Sequence, residues 1–199
     1  MLKSRFGFEF DASIRRAAPF LFHPRVHPNA LTLLGTVISL AAAADFAGGG
    51  LRRGALLAAL GGLFDLTDGV VARAQGRATR FGAFLDSSLD RLVDVALLFG
   101  LALHYAASRE LLWAWTAGAA LAGSVLTSYT KARAELWLRD FSGGWLERAE
   151  RIVLLIAGGV LGLMPLALAL VAVGSLATAV QRIIIAYRRL GAEAEEATP

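Results

Sequence analysis

Four aspartates at fixed spacing, within an otherwise strongly apolar chain, are the residues best suited to chemistry. Asp65 and Asp68 are three positions apart, and Asp86 and Asp90 are four positions apart. In helices these spacings put each pair on one face, so two facing helices would surround one volume with four carboxylates. Carboxylate oxygens are ligands of hard divalent cations, and two such cations can hold a phosphoryl group during transfer. The spacing predicts a two-cation site.

A competing explanation is that these aspartates only form ion pairs with arginines of the same region. Arg73, Arg77, Arg80 and Arg91 are all close in the sequence. Ionisable residues are costly in hydrocarbon, however, and those retained within membrane segments generally serve a function. Gly69 lies on the same helical stripe and lacks a side chain, which leaves room for a phosphate-bearing ligand to approach the backbone. We therefore favour a catalytic site.

The composition predicts an all-α integral membrane protein. Of the 199 residues, 56% are hydrophobic, which is too apolar for an ordinary soluble domain. The absence of cysteine excludes disulfides and thiolate metal sites. Basic residues outnumber acidic ones by 20 to 16, but this excess is expected of cytoplasmic segments in a membrane protein. Nucleic-acid binding is therefore not expected.

Six apolar segments are each near the length that crosses about 30 Å of hydrocarbon. The predicted spans are 30–48, 54–74, 84–105, 111–134, 146–163 and 166–187. Residues 1–22 mix aromatic and basic side chains, which indicates an N-terminal amphipathic helix in the membrane interface. The prediction divides the chain into this segment (1–22), a six-helix membrane domain (23–190) and a solvated C-terminal tail (191–199).

The distribution of basic residues predicts the orientation of the spans. Seventeen of the 20 lysines and arginines fall in or next to the N-terminus, the C-terminal end and the even-numbered connections between spans. Because cytoplasmic segments carry the excess of Lys and Arg, both termini are expected on the cytoplasmic side of the cell membrane. The four aspartates lie at the same ends of their spans, so the site is expected to face the cytoplasm.

The aspartates belong to a longer pattern that resembles the signature of the CDP-alcohol phosphotransferases, D-x2-D-G-x2-A-R-x8-G-x3-D-x3-D. All eight fixed positions are present: Asp65, Asp68, Gly69, Ala72, Arg73, Gly82, Asp86 and Asp90. The six-span plan and the sequence Pro28-Asn29-Ala-Leu-Thr32 before the first span also resemble this family. The resemblance implies a metal-dependent reaction in which a CDP-linked lipid gives its phosphatidyl group to an alcohol and CMP is released.

The resemblance also implies roles for the signature residues. Asp65, Asp68, Asp86 and Asp90 would hold the cations, expected to be two Mg²⁺ ions, with Mn²⁺ as the alternative. Asp90 would also be the general base that takes the proton of the acceptor hydroxyl. The residues implied to border the cytidine diphosphate are Asp65, Asp68, Gly69, Ala72, Arg73 and Gly82. A homodimer is expected because members of the family often dimerise.

Basic residues on the last three predicted spans indicate a phosphorylated acceptor, because Arg and Lys bind phosphate well. Ordinary cytoplasmic bias could explain some of them, but Arg151 and Arg182 fall inside apolar spans. These segments are similar to those of the bacterial phosphatidylinositol phosphate synthases, a branch of the family, which implies transfer from CDP-diacylglycerol to inositol 1-phosphate. The residues predicted to bind the acceptor phosphate are Ser128, Lys131, Arg133, Arg148, Arg151 and Arg182.

Several alternatives remain open at this point. Glycerol 3-phosphate carries the same phosphate and is the second candidate acceptor, and the donor could be an ether lipid or a soluble CDP-alcohol. A small ion transporter could also use carboxylates within its spans. A structural membrane adaptor would not need the aspartates at all. Asp94 continues the helical stripe of Asp86 and Asp90 by one more turn, and is either a support for the site or a partner of a nearby arginine.

Overall fold

The computed structural model describes residue 16 and residues 19–23, 26–139 and 141–196, and the regular secondary structure of these residues is all helical. Most of the predicted interfacial segment 1–22 lies outside the described residues. Its described part contains a short 3-10 helix, Pro19–Phe22, so the interfacial helix stays a prediction.

Six α-helices make up the described part of the chain, one for each predicted span. They are α1 (Pro28–Ala47), α2 (Leu51–Ala74), α3 (Arg80–Ala107), α4 (Leu111–Ala134), α5 (Arg148–Leu161) and α6 (Met164–Glu196). Because α6 continues through Glu196, residues 191–196 of the predicted tail are helical, and the solvation of the tail stays a prediction.

Four of these helices, α1, α2, α4 and α6, are long enough and apolar enough to cross a membrane. The chain is accordingly an integral membrane protein by length and composition. Helix α5 has 14 residues, which at 1.5 Å per residue gives about 21 Å and falls short of the bilayer core. Helix α3 has 28 residues but carries the charged face of the site along its first half. Six full spans therefore remain a prediction.

The helices form a closed ring in which each packs on two neighbours. The order around the ring is α1, α2, α5, α6, α4, α3 and back to α1. Small residues permit close approach between neighbours, as in other membrane bundles. A Cβ on Gly100 of α3 would lie 2.4 Å from the Ala43 carbonyl oxygen of α1, and one on Gly159 of α5 would lie 2.5 Å from the Ala55 Cβ of α2. These contacts fix the spacing of the helices that carry the charged residues.

The buried core of the ring is apolar, with Phe46, Leu97, Leu101, Met164 and Leu168 almost fully enclosed. Polar and charged side chains are concentrated at one end of the ring, where α2 and α4 end and α3 and α5 begin. The opposite end has three short turns, at residues 48–50, 108–110 and 162–163. The ring therefore has one chemically equipped end.

Candidate active site

Three of the four signature aspartates converge between the end of α2 and the start of α3. Asp65, Asp68 and Asp86 each offer one carboxylate oxygen, and these oxygens all lie within 4.8 Å of one another. Asp68 is buried, and within the described part of the chain its Oδ2 has no hydrogen-bond partner. The helical spacing of Asp65 and Asp68, and the packing of both α2 and α3 on α1, bring the three groups together.

This donor set fits a divalent cation. It contains only carboxylate oxygens, as Mg²⁺ and Mn²⁺ prefer. A buried carboxylate oxygen without a partner is costly, and a bound cation would remove that cost. Asp65, Asp68 and Asp86 are thus the residues of this chain that could hold a first metal ion.

Asp90 does not join this group of three, because it faces an arginine. Arg148, the first residue of α5, has Nη2 3.0 Å from Asp90 Oδ1 and donates from Nη1 to Asp65 Oδ2 at 2.7 Å. Its Nε lies 3.4 Å from Asp94 Oδ1. The guanidinium therefore supplies positive charge between carboxylates of α2 and α3. It lies next to the group of Asp65, Asp68 and Asp86, which we call the carboxylate cluster. Sequence reasoning predicted Arg148 at the acceptor phosphate, and that role remains a prediction.

A cavity of about 200 Å³ opens beside the three aspartates, between the start of α1, the end of α2 and the start of α3. We call it the polar cavity because charged and polar side chains are among its lining residues. Five of the six residues predicted to border the cytidine diphosphate line it, namely Asp68, Gly69, Ala72, Arg73 and Gly82, and Asp86 lines it as well. Asp65, the sixth, lines a different cavity on the other side of α2. The signature thus wraps most of its residues around one volume.

The polar cavity also has lining residues that the signature does not contain, among them Asn29, Thr32, Arg77 and Thr79. Thr79 is the N-cap of α3, and its Oγ1 accepts a hydrogen bond from the Gly82 N–H at 2.9 Å. A Cβ on Gly82 would lie 3.1 Å from that oxygen and 3.3 Å from Asn29 Oδ1. Glycine at position 82 thus allows the start of α3 to approach α1 closely. A threonine just before a helix start is the local signal for Thr79.

The second cavity, of about 390 Å³, is mainly apolar and lies between α2, α3 and α5. Asp65 and Arg148 line it, together with Leu63, Leu66, Ile152, Val153 and Ile156. This apolar cavity therefore begins at Asp65 and Arg148, and several of the apolar side chains that line it are exposed on the outside of the bundle.

The predicted acceptor-phosphate residues do not form one cluster. Arg151 is buried, with Nη2 2.9 Å from Asp94 Oδ2, and Ser124 donates to the same oxygen at 3.0 Å. Ser128 lines a cleft of about 370 Å³ between α3 and α4 together with Asp94 and Arg91. Asp94 thus connects this cleft to Arg148 and Arg151.

Arg182 has several partners within the protein. It donates from Nη1 to the Thr127 carbonyl at 2.7 Å and from Nε to the Gly143 carbonyl at 2.8 Å, and its Nη2 is 3.3 Å from Glu147 Oε1. It therefore ties the α4–α5 connection to α6. Gly144, with φ of +143°, is packed so closely there that a Cβ would lie 2.9 Å from Thr178 Cγ2.

The other two predicted residues lie at the end of α4. Lys131 forms an ion pair with Glu135 at 3.9 Å, and both side chains are substantially exposed. Arg133 is exposed and, being two positions from Lys131, points to a different side of the helix. The structure thus brings Arg148 and Arg151 together through Asp94, whereas Arg182, Lys131 and Arg133 occupy separate places around that end of the ring.

A helical membrane bundle with a cluster of carboxylates beside a polar cavity is the arrangement expected of a membrane enzyme that acts on a phosphate-bearing substrate with a divalent cation. The family model described as CDP-alcohol phosphatidyltransferase matches residues 25–190. The chain belongs to this family and is a transferase. This result sets aside the ion transporter and the structural adaptor.

The similar curated proteins include two kinds of inositol phosphate lipid synthase. The chain is 43% identical to a phosphatidylinositol phosphate synthase of Streptomyces avermitilis, over 91% of this chain and 80% of that protein. It is 35% identical to an archaetidylinositol phosphate synthase of Pyrococcus horikoshii, over 83% of this chain and 86% of that protein.

Similar solved structures come from the phosphatidylinositol phosphate synthase of Mycobacterium tuberculosis. The structure with CDP-DAG bound has a TM-score of 0.77 and 33% identity, and covers 90% of this chain and 94% of that one. The structure with manganese and citrate has a TM-score of 0.76 and 34% identity, and covers 89% of this chain and 88% of that one.

Proposed function

We propose that the protein transfers a phosphatidyl group from CDP-diacylglycerol to inositol 1-phosphate, releasing CMP and forming phosphatidylinositol phosphate. The observation that carries this proposal is the convergence of Asp65, Asp68 and Asp86 beside the polar cavity that the rest of the signature lines. The 43% identical relative is named for the same product.

In the proposed reaction the acceptor hydroxyl oxygen attacks the lipid-side phosphorus of the CDP-lipid. The bond from that phosphorus to the bridging oxygen breaks, CMP leaves with that oxygen, and the hydroxyl proton passes to the Asp90 carboxylate. Asp65, Asp68 and Asp86 would hold a divalent cation, which would neutralise the diphosphate and stabilise the leaving CMP. The polar cavity bordered by Gly69, Ala72, Arg73 and Gly82 takes the nucleotide.

Mg²⁺ is the proposed physiological cation, with Mn²⁺ as a substitute that a relative's structure contains. A second cation would share Asp65 and Asp90, the two carboxylates that Arg148 now bridges. The acyl chains of the donor fit the apolar cavity, because it begins at Asp65 and is open to the side of the bundle.

For the acceptor we favour inositol 1-phosphate over glycerol 3-phosphate. The two kinds of relative named above differ in their lipid but share inositol phosphate in their names. The cleft between α3 and α4 is lined by Ser128 and Arg91, whose hydroxyl and guanidinium groups can bind a polyol phosphate. Arg151 Nε is buried without a hydrogen-bond partner in the described part of the chain, so this guanidinium retains a donor for phosphate.

We further propose six spans with both termini and the site on the cytoplasmic side of the cell membrane. The charged end of the ring is the end at which most lysines and arginines lie, as expected for a cytoplasmic face. A homodimer is proposed from the resemblance to the family.

The test measures CMP release by the purified protein from CDP-diacylglycerol with Mg²⁺, in parallel reactions with inositol 1-phosphate, glycerol 3-phosphate and unphosphorylated inositol. We expect turnover with inositol 1-phosphate, its loss in Asp90→Asn, and normal turnover in Asp45→Asn. Asp45 is a matched control because it pairs with Arg53 at the opposite end of the bundle. Turnover with glycerol 3-phosphate alone would overturn the acceptor, and no CMP release with any acceptor would overturn the proposed reaction.

A further inference from the structure

Asp94 is a buried carboxylate outside the family signature, and it has two arginines as partners. Only 4% of its side chain is exposed. Its Oδ2 lies 2.9 Å from Arg151 Nη2 and accepts the Ser124 hydroxyl at 3.0 Å, while its Oδ1 lies 3.4 Å from Arg148 Nε. One carboxylate thus faces two guanidinium groups from the same face of α5.

The two arginines lead to different parts of the site. Arg148 also contacts Asp65, which belongs to the carboxylate cluster, and Asp90. Arg151 has no acidic partner other than Asp94 within the described part of the chain. Its side chain is 3% exposed, and its other contact is a hydrogen bond of 3.4 Å from Nη1 to the neutral Leu146 carbonyl, so Asp94 supplies its counter-charge. Asp94 also lines the cleft that contains Ser128. Asp94 therefore lies between the carboxylate cluster and the cleft proposed for the acceptor.

The ring does not hold these side chains in place by backbone packing alone. Helix α5 packs mainly on α2 and α6, and α3 packs mainly on α1 and α4. Long arginine side chains cross the gap between α5 and α3, and a buried charge of this kind is stable only when it is paired. Without the negative charge of Asp94, Arg151 would lose its counter-charge and Arg148 would be drawn more strongly to Asp65 and Asp90.

We propose that Asp94 is a positioning residue that sets the two arginines for two tasks. It holds Arg151 toward the acceptor phosphate, and it restrains Arg148 so that a cation can compete for Asp65. The acceptor half of this proposal rests on the proposed function, whereas the cation half depends only on the cluster of carboxylates.

The experiment compares Asp94→Asn with the unmodified protein in two assays. In the first, KM for inositol 1-phosphate is expected to rise about tenfold, the lower end of what the loss of a supporting residue costs, while KM for CDP-diacylglycerol stays within about twofold. A fold that was merely weakened would lower the amount of active protein and leave both KM values unchanged. An unchanged KM for the acceptor overturns the proposal.

The second assay measures Mn²⁺ binding by electron paramagnetic resonance without substrates, so it remains readable even if the acceptor has been assigned wrongly. Asp94→Asn is expected to raise the Kd for Mn²⁺ about threefold, and to have no such effect in an Arg148→Gln background. Equal shifts in both backgrounds would show a direct effect of the lost charge, and would overturn the role assigned to Arg148.

Two controls complete the design. Ser124→Ala removes one hydrogen bond to Asp94 but keeps the charge, so its acceptor KM should stay within about threefold of normal. Asp45→Asn removes a carboxylate from an ion pair at the far end of the bundle and should change neither assay. Should Asp94→Asn alone fail to fold, the charge-balanced Asp94→Asn/Arg148→Gln protein is compared with Arg148→Gln. A raised acceptor KM in that pair supports the proposal, and an unchanged one overturns it.

Discussion

Asp86 and Asp90 lie one turn apart on α3, yet the structure gives them different surroundings, and this leads to a sharp prediction about cation binding. The Asp86 carboxylate is one of three whose oxygens lie within 4.8 Å of one another, whereas Asp90 Oδ1 is 3.0 Å from Arg148 Nη2. Asp86→Asn removes one of three anionic ligands from the proposed first cation. Asp90→Asn removes the partner of an arginine that lies beside that cation.

The expected magnitudes follow from these contacts. Loss of a direct ligand should weaken Mn²⁺ binding at least as much as the largest losses seen for supporting residues, about 100-fold, or about 2.8 kcal/mol at about 1.4 kcal/mol per tenfold. Asp90→Asn should weaken binding of this first cation by at most about tenfold, because its three ligands remain. Both variants should lose turnover, Asp86→Asn for want of the cation and Asp90→Asn for want of the base.

The assay is titration of each purified variant with Mn²⁺, with free Mn²⁺ followed by electron paramagnetic resonance and CMP release measured at saturating Mn²⁺. High Mn²⁺ should restore part of the turnover of Asp86→Asn but none of that of Asp90→Asn. If Asp90→Asn weakens Mn²⁺ binding as much as Asp86→Asn does, then Asp90 is a full ligand of the first cation. The assignment of Asp86 as a cation ligand and of Asp90 as only a base, which rests on the contact between Asp90 and Arg148, would then be wrong.

Three further predictions concern the packing and the two substrates. Gly100→Ala should destabilise the bundle by about 1–3 kcal/mol and lower its thermal unfolding midpoint in detergent, because the new Cβ would lie 2.4 Å from a backbone oxygen of α1. Gly118→Ala, whose Cβ would lie in open space, should leave the midpoint unchanged. Arg73→Gln should raise KM for the CDP-lipid and leave KM for the acceptor unchanged, since this residue lines the polar cavity; equal rises in both KM values would contradict that placement. Gly144→Ala should raise KM for the acceptor, because its Cβ would lie 2.9 Å from a methyl of α6 and displace the α4–α5 connection. Gly162→Ala, also at positive φ but in open space, should affect stability alone.

Much of the fold follows from local properties of the sequence. Apolar segments of about 20 residues predict helices, and each of the six predicted segments is helical in the structure. The sequence also carries local signals for helix ends, namely Thr79 before α3 and glycines in the turns. The shortness of α5 was less evident, because its apolar pattern continues past Leu161 although the helix ends at a glycine with φ of +73°.

The signature predicted the cluster of carboxylates because its spacing places each pair of aspartates on one helical face. Neighbouring residues in the sequence also became neighbours in space around the polar cavity, since Gly69, Ala72 and Arg73 lie within about one and a half helical turns of Asp68. Sequence alone therefore determined the class of protein, the helices and the three aspartates that converge at one end of the ring.

Only the tertiary structure decided which charges face each other. Arg148 is 83 positions from Asp65 and 58 from Asp90, and helical periodicity carries no information over such distances. The ring order of the helices places α5 beside α2, so that Arg148, which is predicted to bind the acceptor phosphate, is also an ion-pair partner of Asp65 and Asp90. Asp94 shows the same limit, because its position one turn beyond the signature indicated a polar face but not that its carboxylate would meet two arginines across the bundle. Contacts between long side chains of different helices depend on the packing of the whole ring, which is a property of all six helices together.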